Sequence, residues 1–307
     1  MIALSKLLNF KVVVTLHGPV FPKNMSEEII NNLLPSSSKI LVYLTVFYII
    51  LFYKLVNFLS SKIIVHAKIF QRWLFTYGIK NCIVIPHGVI DAAPMINHVK
   101  LNSWSSCFHD KKIILYFGVL SPRKGLEYLI RSFQEIASNF PESVLIIAGY
   151  EPYYYQNYKK SLEELIKSLG LEHKVFFTGF IEDEDVHILF SMAEIIVLPY
   201  IYSVSASGPL SIAIQHRKPI VATKTAFFSE ILLNRCDAIL IPPRDARALT
   251  KAISKLLEDS STREILSKNL AIKAHRYSWQ RIAENTLKEY FDLVVSASNN
   301  SRVSIDN

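Results

Sequence analysis

Two stretches of this chain combine residue types suited to holding a phosphate. In the first, residues 112–125 (KIILYFGVLSPRKG), an apolar run stops at Gly118. A short loop then carries Pro122, Arg123, Lys124 and Gly125 into a helical pattern that opens at Leu126. Strand, glycine loop with two cations, then helix: this order sets unpaired backbone N–H groups beside positive charge, the two things an oxyanion needs. The spacing is neither that of a Walker loop nor G-x-G-x-x-G, and taken alone it is as well explained by a basic surface turn. The second stretch, residues 205–210 (SASGPL), is a small Ser/Gly turn that opens a helix and can offer N–H groups and hydroxyls. Two such elements on one sheet edge suit a nucleoside diphosphate better than either does alone.

The elements that must position these loops alternate regularly from residue 111 onward. Short apolar, β-branched runs at 113–117, 144–148, 175–178, 195–198, 220–222 and 238–241 predict strands. Helical patterns separate them at 125–138, 154–169, 183–192, 208–216, 227–233 and 245–257, and further helices follow at 261–275 and 279–295. Such alternation implies an α/β fold with a doubly wound parallel sheet, in which ligands bind at the carboxyl ends of the strands. The residues just past those ends are Gly118 with Arg123 and Lys124, Gly149-Tyr150, Gly179-Phe180, Pro199-Tyr200, and the 205–210 turn.

The first third reads differently. Strands are expected at 11–16, 62–65 and 82–85, with helical signals at 25–34 and 68–77. Residues 35–38 form a break, 89–110 a linker without periodicity, and 296–307 a disordered tail. Residues 40–59 (ILVYLTVFYIILFYKLVNFL) form the most apolar segment. As a helix they run about 30 Å, which leaves three readings open: a helix lying on a membrane, a core helix, or a span. Residues 1–100 hold 10 Lys/Arg against 3 Asp/Glu, whereas residues 101–307 hold 24 against 23. The basic, apolar first third points to an anionic partner such as a membrane surface or a phosphorylated acceptor. Nucleic acid is set aside, because the cations form no cluster and no RNA- or DNA-binding module is recognisable. Cys82, Cys107 and Cys236 are odd in number and widely spaced, indicating neither a disulfide framework nor zinc, and so a reducing cytoplasm. No cleavable signal peptide is expected. The acidic run 182–185 fits the first turn of a helix better than a metal site, and the tyrosines at 150, 153–155 and 158 fit a loop packed on its own helix.

In order along the chain, FGVLSPRKGLEYLIRSF (117–133), VLIIAG (144–149), VFFTGFIEDEDV (175–186), AEIIVLPY (193–200), SGPLSIAIQHRKPIVAT (207–223), SEIL (229–232) and YSWQRIAENTLKEY (277–290) resemble the C-terminal lobe of the retaining family 4 (group 1) glycosyltransferases of GT-B fold. VVVTLHG (12–18), SSKIIVHA (60–67) and IVIPHGV (83–89) resemble the same family's first lobe more loosely. The resemblance implies two Rossmann-like lobes facing across a cleft: residues 1–100 as a truncated acceptor-side lobe, and 101–295 as a complete nucleotide-sugar-binding lobe. It implies Lys124 and His17 as catalytic residues, Lys124 neutralising the donor diphosphate and His17 facing the transferred sugar. Gly118, Arg123, Lys124, Gly179, Phe180, Ser207, Gly208, Pro209 and Leu210 would bind the donor. No metal or other cofactor is expected, the nucleotide sugar being a substrate.

The pattern departs from the family at three positions. The two glutamates usual ahead of the strand at 219–222 are Val204 and Ile212, with no Asp or Glu between Glu194 and Glu230, and the usual Arg after the first glycine is Val119. The first lobe also lacks its opening strand and glycine loop, as if a partner chain completed it. The leading expectation is a retaining, metal-independent glycosyltransferase acting on a lipid-linked or glycan acceptor at the cytoplasmic face of the membrane. The alternative is a degenerate subunit that binds a nucleotide sugar or a partner protein without catalysis.

Overall fold

The computed structural model describes residues 10–18, 21, 39–92, 96–155 and 157–303. It divides into two compact units. One gathers the described residues up to Gly88, Val204–Ala206 and the chain from Tyr277; the other holds Val89–Ser203 and Ser207–Arg276. The helical signals at 25–34 and the break at 35–38 lie outside the described residues.

The first unit is built on three parallel strands, β1 (Val13–Thr15), β2 (Lys62–Val65) and β3 (Cys82–Val84), in that spatial order. Val14 stands opposite Ile63 and Ile64 opposite Ile83. Helix α1 (Lys39–Leu59) precedes β2, and α2 (Lys68–Thr76) joins β2 to β3, burying Phe70 and Leu74. Among the described residues, one side of α1 meets protein. Tyr53 is buried and its hydroxyl accepts a hydrogen bond from the Phe21 N–H at 3.2 Å. Ile40, Tyr43, Phe47, Tyr48 and Phe58 are all exposed, a patch too large and aromatic for an ordinary solvated face. Among the described residues no helix is long and apolar enough to cross a membrane. The apolar part of α1 ahead of Lys54 is 14 residues, about 21 Å of helix against a hydrocarbon core of about 30 Å.

The second unit opens with α3 (His98–Cys107), capped by Asn97, whose side chain accepts from the N–H groups of Val99 and Lys100. Residues 89–110, expected as a linker, therefore contain a helix. It escapes the sequence reading because it buries no residue and so has no apolar period. Six strands follow, β4 (Lys112–Phe117), β5 (Ser143–Ala148), β6 (Val175–Gly179), β7 (Ile195–Leu198), β8 (Ile220–Thr223) and β9 (Ile239–Ile241), all parallel, in the order β6-β5-β4-β7-β8-β9. Strands β5, β7 and β8 are buried at every residue, as continuous apolar runs covered on both faces should be. The connecting helices are α4 (Leu126–Asn139), α5 (Tyr158–Ser168), α6 (Asp183–Met192), α7 (Gly208–Gln215), α8 (Ala226–Ile231) and α9 (Ala246–Glu258), followed by α10 (Ser260–Arg276). The acidic run opens α6, as its dipole favours, and also anchors α3: Lys100 reaches Glu184 at 3.1 Å, and the Trp104 indole donates to Asp185 at 3.4 Å.

The closing helix α11 (Trp279–Val303) returns to the first unit rather than completing the second, as a lobe spanning 101–295 would require. Ile282 packs with Ile64 and Ile85, and Lys62 pairs with Glu289 at 2.6 Å. The Trp279 ring lies so close over Gly88 that a Cβ there would come within 2.3 Å of it. Chain order cannot reveal such a return, because an amphipathic period shows that a face is buried and not against what. The helix also runs on to Val303, into the stretch expected as a disordered tail; residues 304–307 lie outside the described residues.

A histidine pair ties α6 to the end of α7. His187 Nδ1 and His216 Nε2 lie 3.0 Å apart with stacked rings, and Phe190 packs against His216. Burial, then the neighbouring His187 and Lys218, push His216 down to about 4. An unfolded chain takes up that proton near pH 6.5, whereas the folded protein resists it until about pH 4. The contribution is therefore full above pH 6.5 and is lost as the pH falls towards 4. His216→Gln should flatten the acid limb of the denaturation free energy between pH 6.5 and 4.5 by on the order of 2 kcal/mol. An unchanged slope in urea titrations would show that His216 protonates as readily in the fold as outside it.

Candidate functional site

The order of the larger sheet puts β4 beside β7, with β5 and β6 continuing on one side and β8 and β9 on the other. The strand order reverses here, and the carboxyl edge at such a switch point is where these sheets take ligands. After β4 comes a single 3-10 turn, Pro122–Lys124; after β7 come Pro199, Tyr200 and Ile201. The two loops are stitched by the Ile201 N–H donating to the Arg123 carbonyl at 2.8 Å. Gly125 turns the chain at φ 68°, where a Cβ would sit 2.2 Å from the Pro199 carbonyl oxygen, so glycine is required twice over. Gly149 is equally constrained, since its Cβ would lie 2.0 Å from the Gly118 carbonyl oxygen.

This stitching buries Lys124. Its side chain is 6% exposed, and Nζ lies 3.5 Å from the centroid of the Tyr200 ring. Burial, followed by the charge of Arg123, holds its pKa well below the ordinary lysine range, and no acid opposes either effect. A cation–π contact is worth about 2 kcal/mol when desolvated. An unpaired buried ion costs several kcal/mol, more than the tyrosine returns, so without an anion the fold favours the neutral amine. The site is short of negative charge. One residue before the 3-10 turn, the Ser121 hydroxyl is also buried with no hydrogen-bond partner.

The other expected donor-binding residues are placed unevenly. Ser207 is the N-cap of α7, and its hydroxyl accepts from the Leu210 N–H and contacts the Tyr200 hydroxyl, both at 3.4 Å. Leu210 is buried in the core and Pro209 has no N–H, so Gly208, which is exposed, is what the first turn of α7 can offer an anion. Gly179 ends β6 at φ 70°, and the following Phe180 is exposed, packed 6.1 Å from Tyr150. Tyr150 thus belongs with the strand-end residues. Tyr158, expected to pack on its own helix, instead reaches α4, its hydroxyl donating to Glu127 at 2.8 Å. Val204 is buried.

In the first unit all three strands release a histidine at their carboxyl ends: His17 after β1, His66 directly after β2, and His87 after β3. Their ring centroids are 4.7 Å apart for His17 and His66, and 5.5 Å for His66 and His87. His66 Nε2 lies 3.0 Å from His17 Nδ1, and His66 Nδ1 lies 2.9 Å from the Ile85 carbonyl. The His87 Nδ1 reaches the Gly88 carbonyl at 2.9 Å, and Trp279 packs edge-on to its ring at 5.4 Å. Burial first, opposed by the Ile85 bond, lowers the pKa of His66; burial likewise lowers His87. His17 is exposed. The sequence reading singled out His17 alone. The signal for the other two was an apolar strand followed by histidine, repeated in KIIVHA and IVIPHG. Among the described residues no group of three or more His, Cys, Asp or Glu is arranged to hold a metal.

The family model for glycosyl transferases group 1 matches residues 102–272. An uncharacterised glycosyltransferase from Methanocaldococcus jannaschii is 30% identical over 182 residues, covering 59% of this chain and 45% of that protein. The alpha-D-kanosaminyltransferase of Streptomyces kanamyceticus is 30% identical over 170 residues, covering 55% and 42% respectively. The chain thus spans less than half the length of these two relatives. In three dimensions it resembles Anabaena HepE, solved with UDP and glucose, with a TM-score of 0.79 at 20% identity, covering 95% of this chain and 74% of that one. That likeness shows the fold, GT-B with two Rossmann-like units.

If Lys124 is an uncompensated charge, removing it relieves the fold. Lys124→Met should raise the melting temperature of the ligand-free protein, by about 1–3 kcal/mol in stability, and abolish stabilisation by UDP or pyrophosphate. Scanning calorimetry showing a lower melting temperature together with retained UDP stabilisation would mean that the cation is structural.

Proposed function

Because the chain belongs to the glycosyl transferases group 1 family, we propose that it moves a sugar from a nucleoside-diphosphate donor to an acceptor, retaining anomeric configuration as in family 4. The observation that carries this reading is Lys124, buried at the sheet's switch point with no acid beside it among the described residues. A donor diphosphate supplies the missing charge. As the glycosidic bond breaks, negative charge grows on the leaving phosphate, and a cation held in a dry site stabilises that growth more than it stabilises the bound donor. Arg123 adds to the same field. The Gly208 N–H meets a phosphate oxygen, Phe180 and Tyr150 flank the base, and His17 meets the transferred sugar. In this reading no metal takes part, because lysine, arginine and the helix end handle the diphosphate.

UDP is the first nucleotide to try, since HepE was solved with UDP and with UDP-glucose. For the acceptor, similar proteins include an O-antigen chain mannosyltransferase of Escherichia coli and the phosphatidyl-myo-inositol mannosyltransferase of Mycolicibacterium smegmatis. Together with the exposed aromatic face of α1 and the basic first hundred residues, these favour a lipid-linked or glycan acceptor met at an anionic, cytoplasmic membrane surface. The subunit without catalysis draws on Val204, Ile212 and Val119 alone.

Purified protein given a panel of UDP- and GDP-sugars should release nucleotide slowly on its own and faster with a lipid-phosphate-linked glycan, with the product anomer matching the donor by NMR. Lys124→Met should lower kcat/KM by roughly a hundredfold or more. Folded protein that neither binds nor turns over any donor would favour the non-catalytic subunit, and an inverted product would remove the family 4 mechanism.

A further inference from the structure

The three strand-end histidines form a directed chain of hydrogen bonds, and its direction follows from its first member. A backbone carbonyl only accepts, so the 2.9 Å contact to Ile85 requires the proton of His66 on Nδ1. A neutral His66 then presents a bare Nε2. The ring facing it, 3.0 Å away, must donate, which places the proton of His17 on Nδ1 and leaves His17 Nε2 with its lone pair. Everything about His66 makes it the fixed end of this chain. It follows β2 directly, it is 6% exposed between the fully buried Val65 and Ala67, and the Ile85 N–H is itself bonded to the Val65 carbonyl at 2.9 Å. His87 closes the far side of the ring at 5.5 Å and is backed by Trp279. His17, by contrast, is exposed.

We propose that His66 is a positioning residue that sets the tautomer of His17, so that His17 offers Nε2 as a hydrogen-bond acceptor. Its ligand is then a hydroxyl, such as one on a neutral sugar, and not a phosphate or a carbonyl, both of which need a donor. Burial keeps His66 neutral near pH 7, which the chain requires, and its two nitrogens are both committed. His66 itself touches no substrate. The part played by the sugar rests on the reading of His17 given above; the tautomer does not.

The test is the ring-nitrogen spectrum of the full chain, 15N-labelled, at neutral pH, with His17→Gln used to assign the His17 signals. In the wild type, His17 should show an N–H at Nδ1 and a lone-pair shift, well downfield, at Nε2. His66→Phe should collapse that distinction into an average of two tautomers, while His66→Gln, which can still accept from Nδ1–H, should restore it. In transfer assays His66→Phe should lower kcat by roughly tenfold and leave the donor KM within about twofold, with partial rescue by His66→Gln. A His17 that carries its proton on Nε2, or a tautomer indifferent to His66→Phe in protein whose other histidine signals are unmoved, overturns the proposal. A fixed tautomer in a protein without transferase activity would instead retire the functional reading and leave the relay standing.

Discussion

The second unit buries a lysine beside which, among the described residues, no acid stands. Lys124 reaches its buried position because β4 and β7 are neighbours where the strand order reverses, so that their strand-end loops meet in backbone contact, and because Gly125 allows them to touch. Remove either condition and the ammonium returns to solvent, where it would be ordinary. Folding therefore stores an electrostatic cost at one place, and that cost is released only when something negative arrives. The Tyr200 ring makes the waiting state tolerable without satisfying it, since a quadrupole offers less than a counter-ion.

Both units draw their chemistry from the same property of parallel sheets. Parallel strands end on one edge, so residues far apart in sequence converge there while the rest of each strand is given over to apolar packing. In the larger unit this gathers glycine loops and cations; in the smaller one it gathers three histidines, none of them within 20 residues of the next in sequence. The N–H groups and carbonyls freed at such ends bond the side chains, as Ile85 and Gly88 do for His66 and His87. The backbone at the edge is thus part of the site.

This division explains what could be read in the sequence. The six strands of the larger sheet and their order of use were legible, because each is a short apolar run between clear helical periods. Lys124 stood in a glycine loop after a strand, a weak signal alone, and its role came from the family resemblance. What escaped lacked a local signature. Helix α3 is held by polar contacts and has no apolar stripe. The return of α11 to the first unit depends on Trp279 meeting Gly88 across nearly two hundred residues. His66 and His87 read as ordinary strand-end residues until the register of β1, β2 and β3 aligned them with His17. Ser207 was legible as a helix opener, and its hydroxyl accepts from the Leu210 N–H as the N-cap of α7.

The absent carboxylates fit the same electrostatic argument. No Asp or Glu lies between Glu194 and Glu230, and the two positions where one would be expected hold a buried valine and an isoleucine on α7. In the proposed reading, an acid here would lend the donor's ribose a strong acceptor, and without it recognition rests on the diphosphate. A site so built should depend on the charge of its ligand more than on the sugar hydroxyls of the nucleoside, and selection of the transferred sugar then falls to groups outside this loop.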